Sequence, residues 1–170
     1  MPDAAYGELC QCYPYSFTVS KSKISSLIER PIDDDEDDAN SPSDGNITFN
    51  CAEQFMMYCK LTACFTDDSW DKVKSDVVVA GNVVKFGHEY KLRRRLLATG
   101  DRLLVEAASR DRVWGIGYSA KHAMSYRQHW GENRLGRALM QTREQLRKEQ
   151  EVALARENWE DTAIITSSKQ

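Results

Sequence analysis

Val77-Val78-Val79-Ala80-Gly81-Asn82-Val83-Val84-Lys85-Phe86 is the stretch on which the fold turns. Two β-branched runs flank a Gly-Asn pair, which on local grounds reads as strand, two-residue turn, strand. If that reading held, the middle of the chain would be a hairpin. The segments on either side carry a different period. From Asn50 to Ala63, the residues Ala52, Phe55, Met56, Cys59 and Ala63 recur at spacings of three and four, one face of a helix. Asn50 is placed to cap it, with Glu53 three residues on, where a capping box puts its glutamate. Asp67-Asp68-Ser69 forms a second capping cluster before Trp70. Lys91 to Thr99 is helical, with Leu92, Leu96 and Leu97 as its stripe and Gly100 as its stop.

Further out, Phe17-Thr18-Val19 suits a short strand, and Asp44-Gly45 suits a turn leading into Ile47-Thr48-Phe49. Leu103 to Ala107 alternates like a strand and runs into a glycine-bearing loop, Asp111 to Gly117. Asn133 is a cap candidate for a long last helix, with Leu135, Leu139, Thr142 and Leu146 on its buried face. Past Lys148 that helix turns polar, and residues 162–170 are expected to fray.

The chain has 170 residues with 23 Lys and Arg against 26 Asp and Glu, a net charge of −3. Six of the acids are Asp33, Asp34, Asp35, Glu36, Asp37 and Asp38. Setting those six aside leaves 20 acids and a balance of +3. So dense a run repels itself, and residues 30–45 read as an exposed disordered loop. Composition excludes collagenous, mucin-like and wholly disordered classes. No stretch approaches the ~20 apolar residues of a membrane span, and no secretory leader is visible, so a cytoplasmic or nuclear location is expected. Cys10, Cys12, Cys51, Cys59 and Cys64 read as free thiols in a reducing compartment. Their spacing does not make a zinc site, and no metal is expected.

Four groups of residues could carry chemistry. Glu53 is a carboxylate among aromatics, though a capping role would account for it as well. Asp111, Trp114 and Gly115 could form one wall of a pocket for a planar ligand, or a core turn. Gly131 to Gly136 opens a helix, where backbone N–H groups favour anions. Lys60 and Lys85 lie beside apolar neighbours, where a lysine can lose its proton and act as a nucleophile, or simply lay its stem on the core. No dinucleotide, phosphate-loop, serine-elbow or zinc-protease motif is present, and His122 and His129 lack a third ligand.

Glu53-Gln54-Phe55-Met56-Met57-Tyr58-Cys59-Lys60 resembles a signature of the NADAR (YbiA-like) family. Lys85-Phe86 with Leu96 to Asp101, then Leu104-Val105-Glu106-Ala107 with Asp111 to Gly117, then Trp130 to Met140, are similar to its later motifs and follow in the same order. Gly7 to Pro14 resembles its opening. The likeness spans about residues 6–148, giving a domain at 1–148 interrupted by the acidic loop, and a polar helical extension and tail at 149–170. It implies an α+β fold, a predominantly helical single domain with a small sheet, and a helix over Trp70 to Phe86 in place of the hairpin.

The resemblance also implies an N-glycosidase acting on a ribosylated nucleotide or ADP-ribose-type ligand, with ADP-ribosylated nucleic acid as a further partner of that class and no cofactor. Glu53, Asp111 and Lys60 fall at its catalytic positions, Lys60 or else Lys85 being the lysine that would capture an opened sugar. Trp114, Gly115, Lys85, Gly131 and Asn133 fall at its ligand-binding positions. Two departures stand out. The acidic run replaces a short hairpin, and Phe65-Thr66-Asp67-Asp68-Ser69 runs straight to Trp70 where members carry a basic segment. The alternative implied by that loss is a non-catalytic ADP-ribose or nucleotide-binding module. A third reading makes the acidic loop the interaction element of a structural protein.

Overall fold

A computed structural model describes residues 6–32 and 45–167 of the chain. The architecture is α+β and mainly helical. A 3-10 turn, Gly7–Leu9, leads to β1 (Phe17–Ser20) and α1 (Lys21–Ile28). Then come β2 (Asn46–Phe49), α2 (Ala52–Thr62), α3 (Asp67–His88), α4 (Tyr90–Leu97), a second 3-10 stretch (Met124–His129) and α5 (Arg134–Ser167). The sheet is one antiparallel pair, with Phe17 opposite Phe49 and Ser20 opposite Asn46.

The Val77–Phe86 stretch is helical, as the family resemblance implies and against its local signals. α3 is the centre of the molecule, packed by α1, α2, α4, α5 and β1. Val77, Val78, Val79, Val84 and Phe86 are all buried, so the second half of the helix is enclosed almost all round and loses its amphipathic period, while Asp68, Asp71, Lys72 and Asp76 in the first half are exposed. Gly81 is not a turn residue. A Cβ there would lie 2.7 Å from Cδ1 of Phe55, so the glycine allows α2 to approach α3 closely. Asn82 is wholly buried and accepts a hydrogen bond from Gln11 Nε2 at 2.9 Å. Tertiary packing overrides β propensity here.

Phe55 also meets the sheet. Its ring stands edge-on to Phe49, centroids 5.2 Å apart, and Phe17 closes the cluster. On α5, Leu135, Leu139, Thr142 and Leu146 are buried, as their spacing predicts. Gly100 takes φ 57° and stops the chain after α4.

Several expectations are corrected. Lys21–Ile28, which was not singled out from the sequence, is a helix: the Ser20 hydroxyl accepts from Lys23 N–H at 3.3 Å, and Ile24 and Ile28 turn into the core. α3 is capped by Thr66, whose hydroxyl accepts from Ser69 N–H at 3.3 Å, one residue earlier than expected. α5 continues to Ser167, without a break at Thr162, in a stretch free of Gly and Pro. Leu103 to Ala107 finds no strand partner. Among the described residues only β1 and β2 pair, and the alternation of this segment is met by side-chain bonds instead. The acidic run falls outside the described residues. No helix of the described residues is long and apolar enough to cross a membrane.

Candidate functional site

α2 begins immediately after Cys51, and Glu53 stands in its first turn. The reach-back of a capping box is made by the next residue: Asn50 N–H donates to Gln54 Oε1 at 2.7 Å. Glu53 is therefore relieved of the capping role its spacing suggested. Its own N–H donates to Gln11 O at 3.1 Å, which fixes the start of α2 against the opening turn. The Glu53 carboxyl is half-buried, and that burial pushes its pKa up. Burial pushes the Cys12 thiol pKa up, and the neighbouring Glu53 carboxylate adds to that rise.

The opening turn is held at further points. Gln11 reaches Asn82, yet Gln11 Oε1 and Asn82 Nδ2 are buried with no hydrogen-bond partner. Lys85 is wholly buried, its Nζ donating to Glu8 O at 3.1 Å and Cys10 O at 2.7 Å. The ammonium also lies 5.5 Å from the Tyr13 ring and 5.0 Å from that of Phe86. Burial lowers its pKa to about 8 from the usual 10.5. Between those values the unfolded chain holds a proton that the folded chain has lost. Stability gained through Lys85 should therefore rise with pH across that window. Denaturant unfolding of wild type and Lys85→Met at pH 7.5 and 10 checks this: the difference should move in favour of wild type at the higher pH, and a constant difference contradicts it.

Lys60, on the same helix as Glu53, sits elsewhere. It is half-buried, 3.9 Å from Asp67 and 5.9 Å from the centre of the Trp70 ring. Lys85, with its pKa of about 8, still holds its proton for the most part at neutral pH, and it is enclosed.

Asp111, Trp114, Gly115, Gly131 and Asn133 come together at one junction. Asp111 Oδ1 accepts from Val113 N–H at 2.9 Å and Trp114 N–H at 2.8 Å, shaping the loop. The half-buried Trp114 ring faces Lys74, whose Nζ is 5.8 Å from its centre. Lys74 is itself buried and pairs with Asp71, which also holds Arg134 at 3.1 Å. The glycines make close approaches: a Cβ at Gly131 would fall 2.2 Å from Arg112 O, and one at Gly115 would fall 2.9 Å from Glu106 O. Asn133 takes φ 52°, and its side-chain amide lies against Gly136 of α5, where a Cβ would stand 2.5 Å from Nδ2. It accepts from Glu106 N–H and donates to Leu104 O, both at 2.9 Å. Gly131, Gly115 and Asn133 thus spend their contacts on the protein's own backbone.

α3 links the two clusters. Lys74 lies under Trp114 and Asn82 against Gln11, eight residues apart, which is about 12 Å along a helix. Four residues here were not singled out from the sequence: Gln11, Lys74, Asn82 and Glu106. The signal for Asn82 and Lys74 was a polar residue inside an apolar face, which only a helical reading exposes.

A cavity of about 610 Å³ opens beside the junction, walled by the opening turn, residues 102–107 and the start of α5. Neither Glu53 nor Trp114 lines it. Among the described residues no cluster of His, Cys, Asp or Glu has the geometry of a metal site.

The NADAR domain family matches residues 60–147, a span that includes the Trp114 junction and Lys85 and stops short of Glu53. An N-glycosidase of Acanthamoeba polyphaga mimivirus, R617, is 43% identical over 83 residues, covering 48% of this chain and 49% of the relative. N-glycosidase YbiA of Escherichia coli is 40% identical over 78 residues, 46% of this chain and 43% of the relative. An N-glycosidase of Nostoc punctiforme is 37% identical over 78 residues, 46% of this chain and 44% of the relative. The aligned part is thus about half the length of these curated relatives or less.

Proposed function

Because this chain belongs to the NADAR domain family, we propose that it is an N-glycosidase, hydrolysing the C–N bond between a ribose and a base. The bond breaks toward an oxocarbenium-like state, with positive charge spread over the anomeric carbon and ring oxygen. A fixed carboxylate near that carbon lowers the barrier because it needs no reorganisation as charge develops. Glu53 is assigned that role. The observation that supports it most is the transfer of the cap to Gln54, which leaves a half-buried, rigidly based carboxylate whose side chain makes no hydrogen bond or ion pair among the described residues.

Trp114 supplies a stacking wall, steadied by Lys74 behind it. Asp111 holds the loop that presents the ring and is assigned to the site through that loop. Gly115, Gly131 and Asn133 shape the same junction, and Lys85 holds the opening turn. Lys60, on the helix of Glu53, is kept as the amine that would capture an opened sugar. The substrate class is a ribosylated nucleotide, either a riboflavin-pathway ribosylaminopyrimidine or an ADP-ribosylated guanine, free or in nucleic acid. Incubation with each, followed by chromatography of the released base, tests the activity. Release of one base is expected, and release of none rejects the proposal.

A second reading draws on a specific feature: Thr66 leads directly into α3, with no basic segment before Trp70. It makes the protein a binding module for ADP-ribose without turnover. Both readings expect Trp114→Ala to weaken ADP-ribose binding by ~1–3 kcal/mol, the usual worth of a stacked ring. Calorimetric titration of the folded variant checks this, and wild-type affinity would remove Trp114 from the pocket.

A further inference from the structure

The cavity of about 610 Å³ is of the size that binds small molecules, and it is lined mainly by apolar side chains such as Leu9, Leu104, Leu135 and Leu139. Glu106 is the one carboxylate among its described lining residues. Arg102, also in the lining, does not neutralise it. The Arg102 guanidinium is committed to Thr99 O at 2.9 Å and Ala98 O at 2.8 Å. No described residue donates a hydrogen bond to the Glu106 side chain, which is half-buried. Burial pushes its pKa up, and the nearby Asp111 carboxylate adds to the effect. Burial thus favours its neutral acid form over the carboxylate.

The backbone beneath it is clamped on every side. Glu106 N–H is taken by Asn133 Oδ1, Glu106 O by Ile116 N–H at 3.0 Å, and Leu104 O by Asn133 Nδ2. Gly136 lets α5 come down on Leu104 O, where a Cβ would stand 2.2 Å away. An irregular segment with no strand partner is therefore held as firmly as a strand, and the residue it presents to the cavity is an acid. Such rigidity at a group with no structural partner is what a positioned proton donor requires.

We infer that Glu106 is a catalytic residue whose carboxylic acid protonates the departing base, and that the cavity is the subsite that holds that base. The inference rests on the N-glycosidase reading for its reaction. As the C–N bond breaks, its electron pair stays on nitrogen, and the Glu106 proton goes to the base, to nitrogen or to a conjugated ring atom. Water then adds to the anomeric carbon, and the proton it sheds returns to the Glu106 carboxylate. The balance is one water consumed, one free base and one reducing sugar formed. The apolar walls suit a planar heteroaromatic ring, and a single acid suits its polar edge.

The test compares wild type with Glu106→Gln on two substrates. One is a ribosylated base, whose leaving nitrogen needs a proton. The other is p-nitrophenyl riboside, whose leaving group departs as a stable anion. The variant should lose ~10²–10³ in kcat on the first, together with the falling limb of the pH profile at high pH, and stay within a few fold of wild type on the second. Equal losses on both substrates would point to a structural role and overturn the inference, as would no loss on either. If wild type cleaves neither, the N-glycosidase reading fails separately, and the base subsite is decided by binding. Guanosine 5′-monophosphate should then shift the Glu106 carboxyl carbon and the Leu104 and Leu139 methyl signals in NMR spectra. Absence of shifts at those three residues overturns the subsite.

Discussion

Glu53→Gln is expected to lower turnover by ~10²–10³ while leaving the melting temperature within about 2 °C of wild type. The two halves of that result have different origins. Gln keeps the shape of Glu and its place in the first turn of α2, and the cap belongs to Gln54, so no helix-end hydrogen bond is lost. The Glu53 backbone bond to Gln11 O survives any side-chain change. The substitution removes only the negative charge, and burial already works against that charge in the folded protein. Its removal is stabilising or neutral for the fold and costly for a cationic transition state. Because burial raises the Glu53 pKa, the anion forms late, and wild-type activity should climb with pH through a value above the ordinary carboxylate range. Gln54→Ala is the mirror image: ~1 kcal/mol of stability lost with the cap, and turnover nearly kept. Paired melting curves and initial rates check both variants. Equal turnover in Glu53→Gln and wild type would remove Glu53 from the mechanism.

Asn133→Ala should have the largest effect on stability, ~2–4 kcal/mol. Two bonds vanish at once, leaving Glu106 N–H and Leu104 O without partners in a half-buried segment. Alanine must also hold φ 52°, where its Cβ is strained and glycine is not. Asn133→Gly separates the two contributions, since it keeps the left-handed conformation and loses the bonds. It should fall between wild type and Asn133→Ala. Chemical denaturation of the three proteins measures the order, and an Asn133→Ala protein as stable as wild type would show that the 104–106 segment is held by other means. Activity should fall with the clamp, because Leu104 and Glu106 wall the cavity.

The helices around α2, α4 and α5 were legible in the sequence because each buries only one face. Leu135, Leu139, Thr142 and Leu146 announce α5 by spacing alone. α3 was not legible in that way. Its second half is buried on nearly every side, so its period disappears there, and Gly81-Asn82 mimics a turn although the glycine answers to Phe55 and the asparagine to Gln11. Only the resemblance of the flanking motifs made it a helix. Leu103 to Ala107 misled in the opposite direction, since alternation says nothing of whether a partner strand exists.

At the candidate site, Glu53 and Trp114 could be picked out by residue type and context. What each neighbour does could not. A shift of one residue moved the cap from Glu53 to Gln54, and that shift changes the meaning of the glutamate. Glu106 was hidden within an apolar run, and its exposure to a cavity depends on Asn133, 27 residues away. Long-range clamps of that kind leave no local trace.

The central claim is that the protein breaks a C–N bond at an anomeric carbon, and proton NMR of that carbon's hydrogen observes the event directly. Wild-type protein is mixed in molar excess over a ribosylated base, and the anomeric signal is followed with time. The account predicts that the N-linked signal decays while reducing-sugar anomeric signals and free base appear in equal amounts, and that Glu53→Gln slows the decay ~10²–10³-fold. An N-linked signal that stays constant while its line broadens on binding would contradict it, and would identify the protein as a binding module.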